Sequence, residues 1–591
     1  MAKWLRSEDL LQAFKEIPSD EETTTDKDES DADLSVDSVD VDDDDHDSQS
    51  EADVSEDEEL SEYDETDGDD GNFYIGRDKQ TRWRKTQIAP MAKTRGKNIV
   101  KKIPGPTSHA RDASTELEAY LKIMDIDIID EIVKCTNKYM EGIRHKFARE
   151  RMCTETSRSE IMALLGLLYL IGTRKGHHTN VRELWTADGT GIQILRACMS
   201  YDRFLFLLRC IRFDDLQTRP GRRQTDKLAP IRTILDIFVK NCQKCYNTSE
   251  FTTIDEMLHP FRGRCSFIQY MPNKPAKYGV KIFALCDAKT FYCSNLEIYC
   301  GKQPPGPYDV RNTPTDIVKR LVSPIENSNK NVTTDNWYTN IPLLHYLLEK
   351  KITLLGTMKK NKREIPPEFL PTKVRQPGEC MFGFQKDKVL VSFVPKRNKA
   401  VILVSSMHDS GVMDEATKKP EIILDYNMTK GGVDTCDKMC ASYSVSRVTR
   451  RWPLAVFYIL MNIAGINSRA IYTFNTPHDE PQRRILFLKN LSLSLMKQHL
   501  VSRSQTPSLP RDVSAFLEKY RPLPVEDDGD GIAGRPPKKR GICFICGRQK
   551  NSSASMKCDQ CNRFICKQHS KKQIICANCG DANIITSSEC E

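Results

Sequence analysis

A carboxylate interrupts the β-branched run Thr252–Thr253–Ile254, and Asp255 at that point constrains the fold more than any other single residue. Such a run reads as a buried strand, where an ionised carboxylate is seldom tolerated unless it is paired or bound to a cation. The arrangement recurs. NVTTDNWYTNIP places Asp335 at the end of a second β-branched run, just before a helix-like stretch, Ile341 to Lys350. DYNMTKGGVDTCDKM then spaces Asp434 and Asp437 three apart, on one face of a helix entered through Gly431 and Gly432. Taken singly, each of these reads as a cap, a turn or a surface charge. Carboxylates on three separate elements together point to one metal site. An all-oxygen donor set suits hard cations, and two Mg²⁺ ions (or Mn²⁺) about 4 Å apart serve phosphodiester cleavage and transfer.

Charge narrows the partner. The chain has 591 residues and a net charge of +6, but the first 71 residues hold about thirty acidic against four basic side chains, so the remaining 520 carry roughly +30. Such a body attracts polyanions, nucleic acid above all. The acidic stretch has too few apolar residues to offset its ordering entropy and is expected to be disordered. Nothing predicts a membrane partner. The longest apolar stretch, Leu454 to Ile466, falls short of the roughly 20 residues of a span and reads as a buried helix, and MAKWLRSEDLLQAF lacks the features of a secretory signal. The 21 cysteines are therefore expected to be reduced or zinc-bound.

The hydrophobic period changes along the chain and marks its parts. Residues 1–104 form the acidic tail and a basic linker (RWRK, KTRGKNIVKK), and 105–248 show helical spacing throughout. Strand-like segments follow, TTIDEML, KYGVKIFALCD and CSNLEIYC, then helix, strand, helix and strand to ITLLGTM, which fits an α/β layer fold over 249–361. Residues 362–420 are expected as an inserted β-rich domain. The Asp434 helix lies in 421–443, and 444–522 return to helical period. A linker, 523–540, carries the basic run Arg535, Lys538, Lys539 and Arg540, expected to direct the chain to the nucleus.

The last part, 541–582, holds the most specific spacing. Cys543/Cys546, Cys558/Cys561, Cys566/His569 and Cys576/Cys579 are four C-x-x-C or C-x-x-H pairs, eight ligands for two Zn²⁺ ions. The short gaps predict a cross-brace in which pairs one and three bind one ion and pairs two and four the other. Lysines and Arg563 decorate the module and favour contact with DNA.

The blocks IDEMLHPFRGR, MPNKPAKYGVKIFALCD, DNWYTNIPL, GTMKKNKREIP, YNMTKGGVDTCDKM and SRVTRRWP, in this order and followed by the cysteine module, resemble the signature blocks of the piggyBac family of DNA transposases. The resemblance implies a multi-domain α/β protein. Its parts are a ribonuclease-H-like catalytic core with an inserted β-rich domain, a flanking split helical dimerisation and DNA-binding domain, and a C-terminal cross-brace zinc finger. It implies cut-and-paste transposition by at least a dimer, acting on terminal inverted repeats through hairpin ends and inserting at TTAA. Carried over by motif, Asp255, Asp335 and Asp434 are the catalytic aspartates and Mg²⁺ ligands, with Asp437 beside them. Glu256 is expected on the opposite strand face, outside the ligand set. Asn336, Lys359, Lys362 and Arg363 are expected to hold phosphates or target bases. Arg447, Arg450 and Arg451 flank Trp452, which is expected either to stack on an unpaired base or to pack in the core. Readings from other classes are a host DNA- or chromatin-binding protein that keeps this fold without cutting, and a ubiquitin ligase built on the terminal module.

Overall fold

A computed structural model describes residues 71–88, 96–176, 178–272, 274–477, 482–522, 541–546, 553–558 and 563–570. The acidic stretch through residue 70 and the run Arg535–Arg540 lie outside the described residues. The chain divides into two compact units, Met1–Arg521 and Pro522–Glu591.

In the first unit, eleven strands form one mixed sheet: β1 (Phe73–Ile75), β2 (Arg82–Arg84), β3 (Phe251–Pro260), β4 (Gln269–Tyr270), β5 (Tyr278–Asp287), β6 (Cys293–Ile298), β7 (Asn331–Thr334), β8 (Thr353–Thr357), β9 (Cys380–Phe384), β10 (Val389–Lys396) and β11 (Lys399–Ser405). Their order is β1-β2-β9-β10-β11-β8-β7-β3-β5-β4, with β6 also paired to β5. The middle of the sheet is β3, β7 and β8, all parallel, with β5 antiparallel to β3. Parallel neighbours need a crossover. Helix α6 (Pro314–Leu321) lies between β6 and β7, and α7 (Ile341–Glu349) between β7 and β8.

Alternation along β5 assigns its two faces. Ile282, Ala284 and Cys286 join the large helical core, whereas Phe283 and Leu285 join a second core with α6 and α7. The helical core is made of α1 (Glu116–Ile123), α2 (Ile126–Ile143), α3 (Arg158–Thr173), α4 (Tyr201–Cys210) and α5 (Arg232–Cys245). It is completed by α9 (Gly432–Ser442), α10 (Trp452–Asn475), α11 (Arg484–Ser504) and α12 (Arg511–Leu517), whereas α8 (Glu421–Thr429) packs on the sheet. Helices from both sides of the sheet sequence thus share one core. Gly166 lets α3 and α11 cross closely, since a Cβ there would stand 2.7 Å from the Ser492 carbonyl oxygen. The 24-residue α10 is apolar enough by composition to cross a membrane, but 89% of its most apolar window is buried inside the unit.

Two expectations are corrected. Residues 71–88 were expected to belong to the tail and a basic linker, yet β1 and β2 form an antiparallel hairpin that pairs with β9. The reason is Trp83, fully buried between two exposed arginines: an alternation too short to register against the surrounding charge. Nor do residues 362–420 build a separate sheet among the described residues. β11 pairs antiparallel with β8 and β9–β11 continue the central sheet, covering the edge that β8 would otherwise expose.

Candidate active site

Register brings the first two aspartates together. Parallel pairing of β3 with β7 sets Ile254 opposite Thr334, so Asp255 and Asp335 are the next residues on adjacent strands. The third element arrives over the same strands. Thr253 Oγ1 donates to the Thr429 carbonyl oxygen at 2.5 Å, and the Thr333 and Thr429 hydroxyls share a hydrogen bond of 2.8 Å, which pins the end of α8 across β3 and β7. The chain then turns at Gly431 into α9. A Cβ at Gly432 would stand 2.5 Å from Thr253 Oγ1, so only glycine lets α9 sit this close to β3. Asp434 lies in the first turn of that helix and Asp437 one turn on.

Electrostatics show how closely the carboxylates converge. Burial pushes the Asp255 carboxyl well above the usual range, reinforced by the charges of Glu256, Asp335 and Asp434. Burial, then the Glu256 charge, pushes Asp335 up to about 6, against a backbone hydrogen bond from Trp337 N at 2.9 Å. Asp437 is also pushed up to about 6, by burial first. Each is costly to ionise without a counter-charge, and all donors are carboxylate oxygens. The set therefore fits a hard divalent cation.

Two further residues shape this site: Glu256, which the sequence placed on the opposite strand face outside the ligand set, and Lys274, which sequence reasoning passed over. Glu256 does face the other side of β3, where the Tyr338 hydroxyl donates to it at 3.2 Å, yet its charge is the strongest acting on both Asp255 and Asp335. Lys274 reaches in from the turn before β5, its ammonium donating to the Glu256 carbonyl oxygen at 3.2 Å and lying 3.4 Å from Asp434 Oδ1. Burial opposes its charge, but Asp434, Asp255, Glu256 and Asp437 together raise its pKa. A lysine in a proline-flanked turn carries no local signal of this role.

Around the acids, the expected nucleic-acid contacts separate into two groups. Asn336 follows Asp335 directly, and the Lys359 ammonium lies near enough to favour the ionised Asp335. The loop with Lys359, Lys362 and Arg363 is held from behind by the β1–β2 hairpin. Arg77 donates to the carbonyls of Lys360 and Lys362 at 2.6 Å, the Asp78 amide to that of Arg363, and Trp83 Nε1 to that of Glu364 at 2.9 Å. The second group is engaged with the protein itself, and Trp452 takes the core packing that was one of its two expected roles. Arg447 donates to the Gly176 and Thr179 carbonyls, and Arg451 to those of Leu208, Arg209 and Ile211. Trp452 is 6% exposed, edge-on to Phe267 at 5.0 Å. This basic, aromatic segment anchors the start of α10, and of its arginines only Arg450 is exposed.

In the second unit, Cys543, Cys546, Cys566 and His569 offer ligand atoms that all lie within 4.8 Å of one another. These are pairs one and three. Cys546 Sγ stands 3.7 Å from Cys566 Sγ and 3.3 Å from His569 Nδ1. Ligands at about 2.3 Å (sulfur) and 2.0 Å (nitrogen) around a tetrahedral zinc are roughly 3.5–3.8 Å apart, so the spacing fits the ion. Amides of Cys546 and Cys566 aim at Cys543 and hold its thiol down at about 5. Of the remaining ligands, Cys558 is described, while Cys561, Cys576 and Cys579 lie outside the described residues.

Comparison with known proteins agrees with this architecture. A family model described as Transposase IS4 matches residues 115–469. The human piggyBac transposable element-derived protein 3 is 21% identical over 360 residues, 57% of this chain and 58% of that protein. The human chimeric ERCC6-PGBD3 protein is 21% identical over a stretch of the same length, 32% of its own chain. The chain thus spans little more than half of the first relative and a third of the second. A chain from the cryo-EM structure of a piggyBac transposase synaptic complex with hairpin DNA is 37% identical, with a TM-score of 0.67, covering 81% of this chain and 100% of that one.

Proposed function

Because this chain belongs to the piggyBac-type transposase family, we propose that it is a cleaving enzyme: a cut-and-paste DNA transposase that excises element ends through hairpins and inserts at TTAA. The observation that carries this reading is the convergence of Asp255, Asp335, Asp434 and Asp437 from two parallel strands and one helix. The order of the middle strands supports a ribonuclease-H-like core.

Asp255, Asp335 and Asp434 are the residues to hold two divalent cations, with Asp437 beside them. When bound, such ions supply Lewis acidity to a phosphate oxygen and ease deprotonation of an attacking water or 3′-hydroxyl. The chain's own groups do the positioning. Lys359 and Asn336 would meet the scissile phosphate beside Asp335, and the β1–β2 hairpin keeps the Lys359 loop in place. Tyr338 and the packed strands keep bulk water from one side of the acids. The terminal module would bind two Zn²⁺ ions as a structural, DNA-contacting finger. The active form is a dimer or larger, since two ends must be held together, and it works in the nucleus.

A plasmid excision assay tests the reading, with a reporter flanked by the element's own ends and TTAA. Asp255→Asn should lower excision at least about a thousandfold, some 4 kcal/mol in the barrier, without loss of folded protein. Wild type that binds the ends yet excises no more than Asp255→Asn would transfer the chain to the DNA-binding, non-cleaving class.

A further inference from the structure

One edge of the sheet is closed at both ends and open in the middle. β6 pairs with β5 on one side only, Leu296 opposite Ala284 and Ile298 opposite Ile282. The Tyr299 amide donates to the Lys281 carbonyl oxygen at 2.9 Å, so residue 299 bonds toward β5. Bonding direction alternates along an antiparallel pair, which turns the amides and carbonyls of Leu296, Ile298 and Cys300 outward. At one end Lys227 Nζ donates to the Cys300 carbonyl oxygen at 3.3 Å. At the other, past an irregularity in the register, Asn467 stands in for a neighbouring strand: its Oδ1 accepts from the Cys293 amide and its Nδ2 donates to the Cys293 carbonyl, both at 2.8 Å. Between these caps the outward groups of Leu296 and Ile298 have no hydrogen-bond partner among the described residues.

Both residues are buried, 6% and 3% exposed. Buried backbone amides and carbonyls are nearly always paired, so the gap calls for a partner. It also has room for one. A recess of about 340 Å³ lies against Leu296 and Ile298, walled by Leu235 and Val239 of α5 and by Tyr308 and Val310 of the segment that follows β6. That is the size of a small ligand site. Its wall is braced, since Arg232 pairs with Asp226 at 2.8 Å and lies 4.4 Å over the Tyr308 ring. Beside it Lys240, Lys302 and Arg311 are exposed and make no ion pair among the described residues. The exposed acids there are Asp309 and Asp236, the latter 3.5 Å from Arg232.

We infer that this gap takes an added β-strand from the chain's own acidic tail, the run of residues 34–41. An unpaired strand edge recognises backbone first and so selects an extended peptide. Two outward residues, two apart, exchange bonds with two residues of the same spacing. Leu34/Val36 and Val39/Val41 offer that spacing, with Ser35 and Asp40 between them. On such a strand the apolar pair lies on the face of Leu296 and Ile298, which belong to the helical core. The residue between them lies on the face of Glu297, where Arg320 stands. The acidic flanks, Asp33 and residues 42–45, then meet the exposed cations beside the recess. Reach sets no limit: the thirty residues from Val41 to residue 71 extend to about 100 Å, against a radius of gyration near 22 Å for a domain of this size. A segment too poor in apolar residues to build a core can still order on a sheet that is already formed.

The test follows hydrogen–deuterium exchange of the full chain, resolved to single amides by mass spectrometry. With Leu34→Asp, Val36→Asp, Val39→Asp and Val41→Asp combined, the Leu296 and Ile298 amides should exchange at least about tenfold faster than in the wild type, each having lost a bond of ordinary strength. The amides of Asn295, Glu297 and Tyr299, bonded to β5, should keep their rates. A synthetic peptide of residues 33–42 should restore slow exchange to the variant at about 1 mM, the order of a tethered segment's effective concentration. Equal rates in wild type and variant overturn the inference and leave the gap to water. A variant in which all five amides speed up alike overturns it too, because that reports a loosened sheet, and so does a peptide that restores nothing. Wild-type rates that rise on dilution overturn it by assigning the strand to a second copy. Excision is not read in any arm, so the transposase reading stands or falls separately.

Discussion

Around Asp255 the acids are placed by strands and helices whose cores would stand without any ion, whereas Cys543, Cys546, Cys566 and His569 belong to a module in which, among the described residues, Cys543 and Ala554 are the only buried hydrophobic side chains. The first cluster hangs on β3, β7 and α9, each backed by fully buried aliphatic side chains. The second is framed by strands two residues long, Gly541–Ile542, Ser553–Ala554, Met556–Lys557 and Phe564–Ile565, while Phe544 and Ile545 stand about 60% exposed. On the proposed reading, one site is prepared for its metal and the other is assembled by it. The acid site accumulates electrostatic tension that a cation would relieve, and so does the thiol site, where burial and the neighbouring Cys543 and Cys566 push the Cys546 thiol up to about 11.

Removing metal gives the widest separation. A strong chelator should unfold the terminal module, since a structural zinc in a module of this kind is worth about 10–16 kcal/mol, and leave the helices and sheet of the first unit intact. Amide NMR spectra would show module resonances collapsing to unfolded positions, and Cys546→Ser should do the same without chelator. A module whose spectrum survives both treatments would end the comparison.

The frame around the acids can be broken with no metal involved. Trp83→Ala should cost about 3–5 kcal/mol in denaturant midpoints, because a fully buried indole and its hydrogen bond to the Glu364 carbonyl are lost together. It should also loosen the Lys359–Arg363 loop and lower excision beyond what stability explains. This residue marks where the sequence stops being readable. Asp255 and Asp335 stood out because carboxylates do not belong in β-branched runs, and the module because C-x-x-C pairs rarely occur by chance. The strand alternations from Thr252 to Met358 read correctly for the same local reason. Trp83 sits in a three-residue strand whose neighbours are Arg82 and Arg84, so its burial depends on β9, some 300 residues away. Lys274 and the sheet-extending role of β9–β11 are likewise tertiary facts. For Trp452 the sequence left base stacking and core packing both open, because arginines around an aromatic look the same on a nucleic-acid surface and where they anchor a helix to carbonyls.

Acid should pull the frame and the cluster in opposite directions. Burial lowers His259 from its ordinary 6.5 to about 4, so its contribution is complete above pH 6.5 and is lost as pH falls toward 4, about 3 kcal/mol in all. Asp335 and Asp437 are raised to about 6, which penalises the folded state above that pH and relieves it as pH falls through 6 toward 4. Two carboxylates outweigh one imidazole, so the metal-free wild type should gain roughly 1–2 kcal/mol in stability, read from urea midpoints, between pH 7 and 4.5. His259→Leu should gain more over that range. A variant that stays flat would mean that the carboxylates are not strained without metal.

Lys274 offers the smallest and most discriminating effect. Its ammonium already lies among the acids, 3.4 Å from Asp434, so it serves as an internal counter-charge in the metal-free protein. Asp434 is half exposed there, which limits the pair to about 0.5–1 kcal/mol. Lys274→Met should thus lower the melting temperature of chelator-treated protein by a few degrees at most, and saturating Mn²⁺ should erase the difference. The same change should tighten Mn²⁺ binding several-fold by calorimetry, because an ion no longer has to displace or repel a resident cation. If Lys274 instead serves the substrate, Mn²⁺ affinity will stay constant while affinity for end DNA falls. In that event the acid site would be less self-sufficient than its frame suggests, its charge balanced by nucleic acid and ion together.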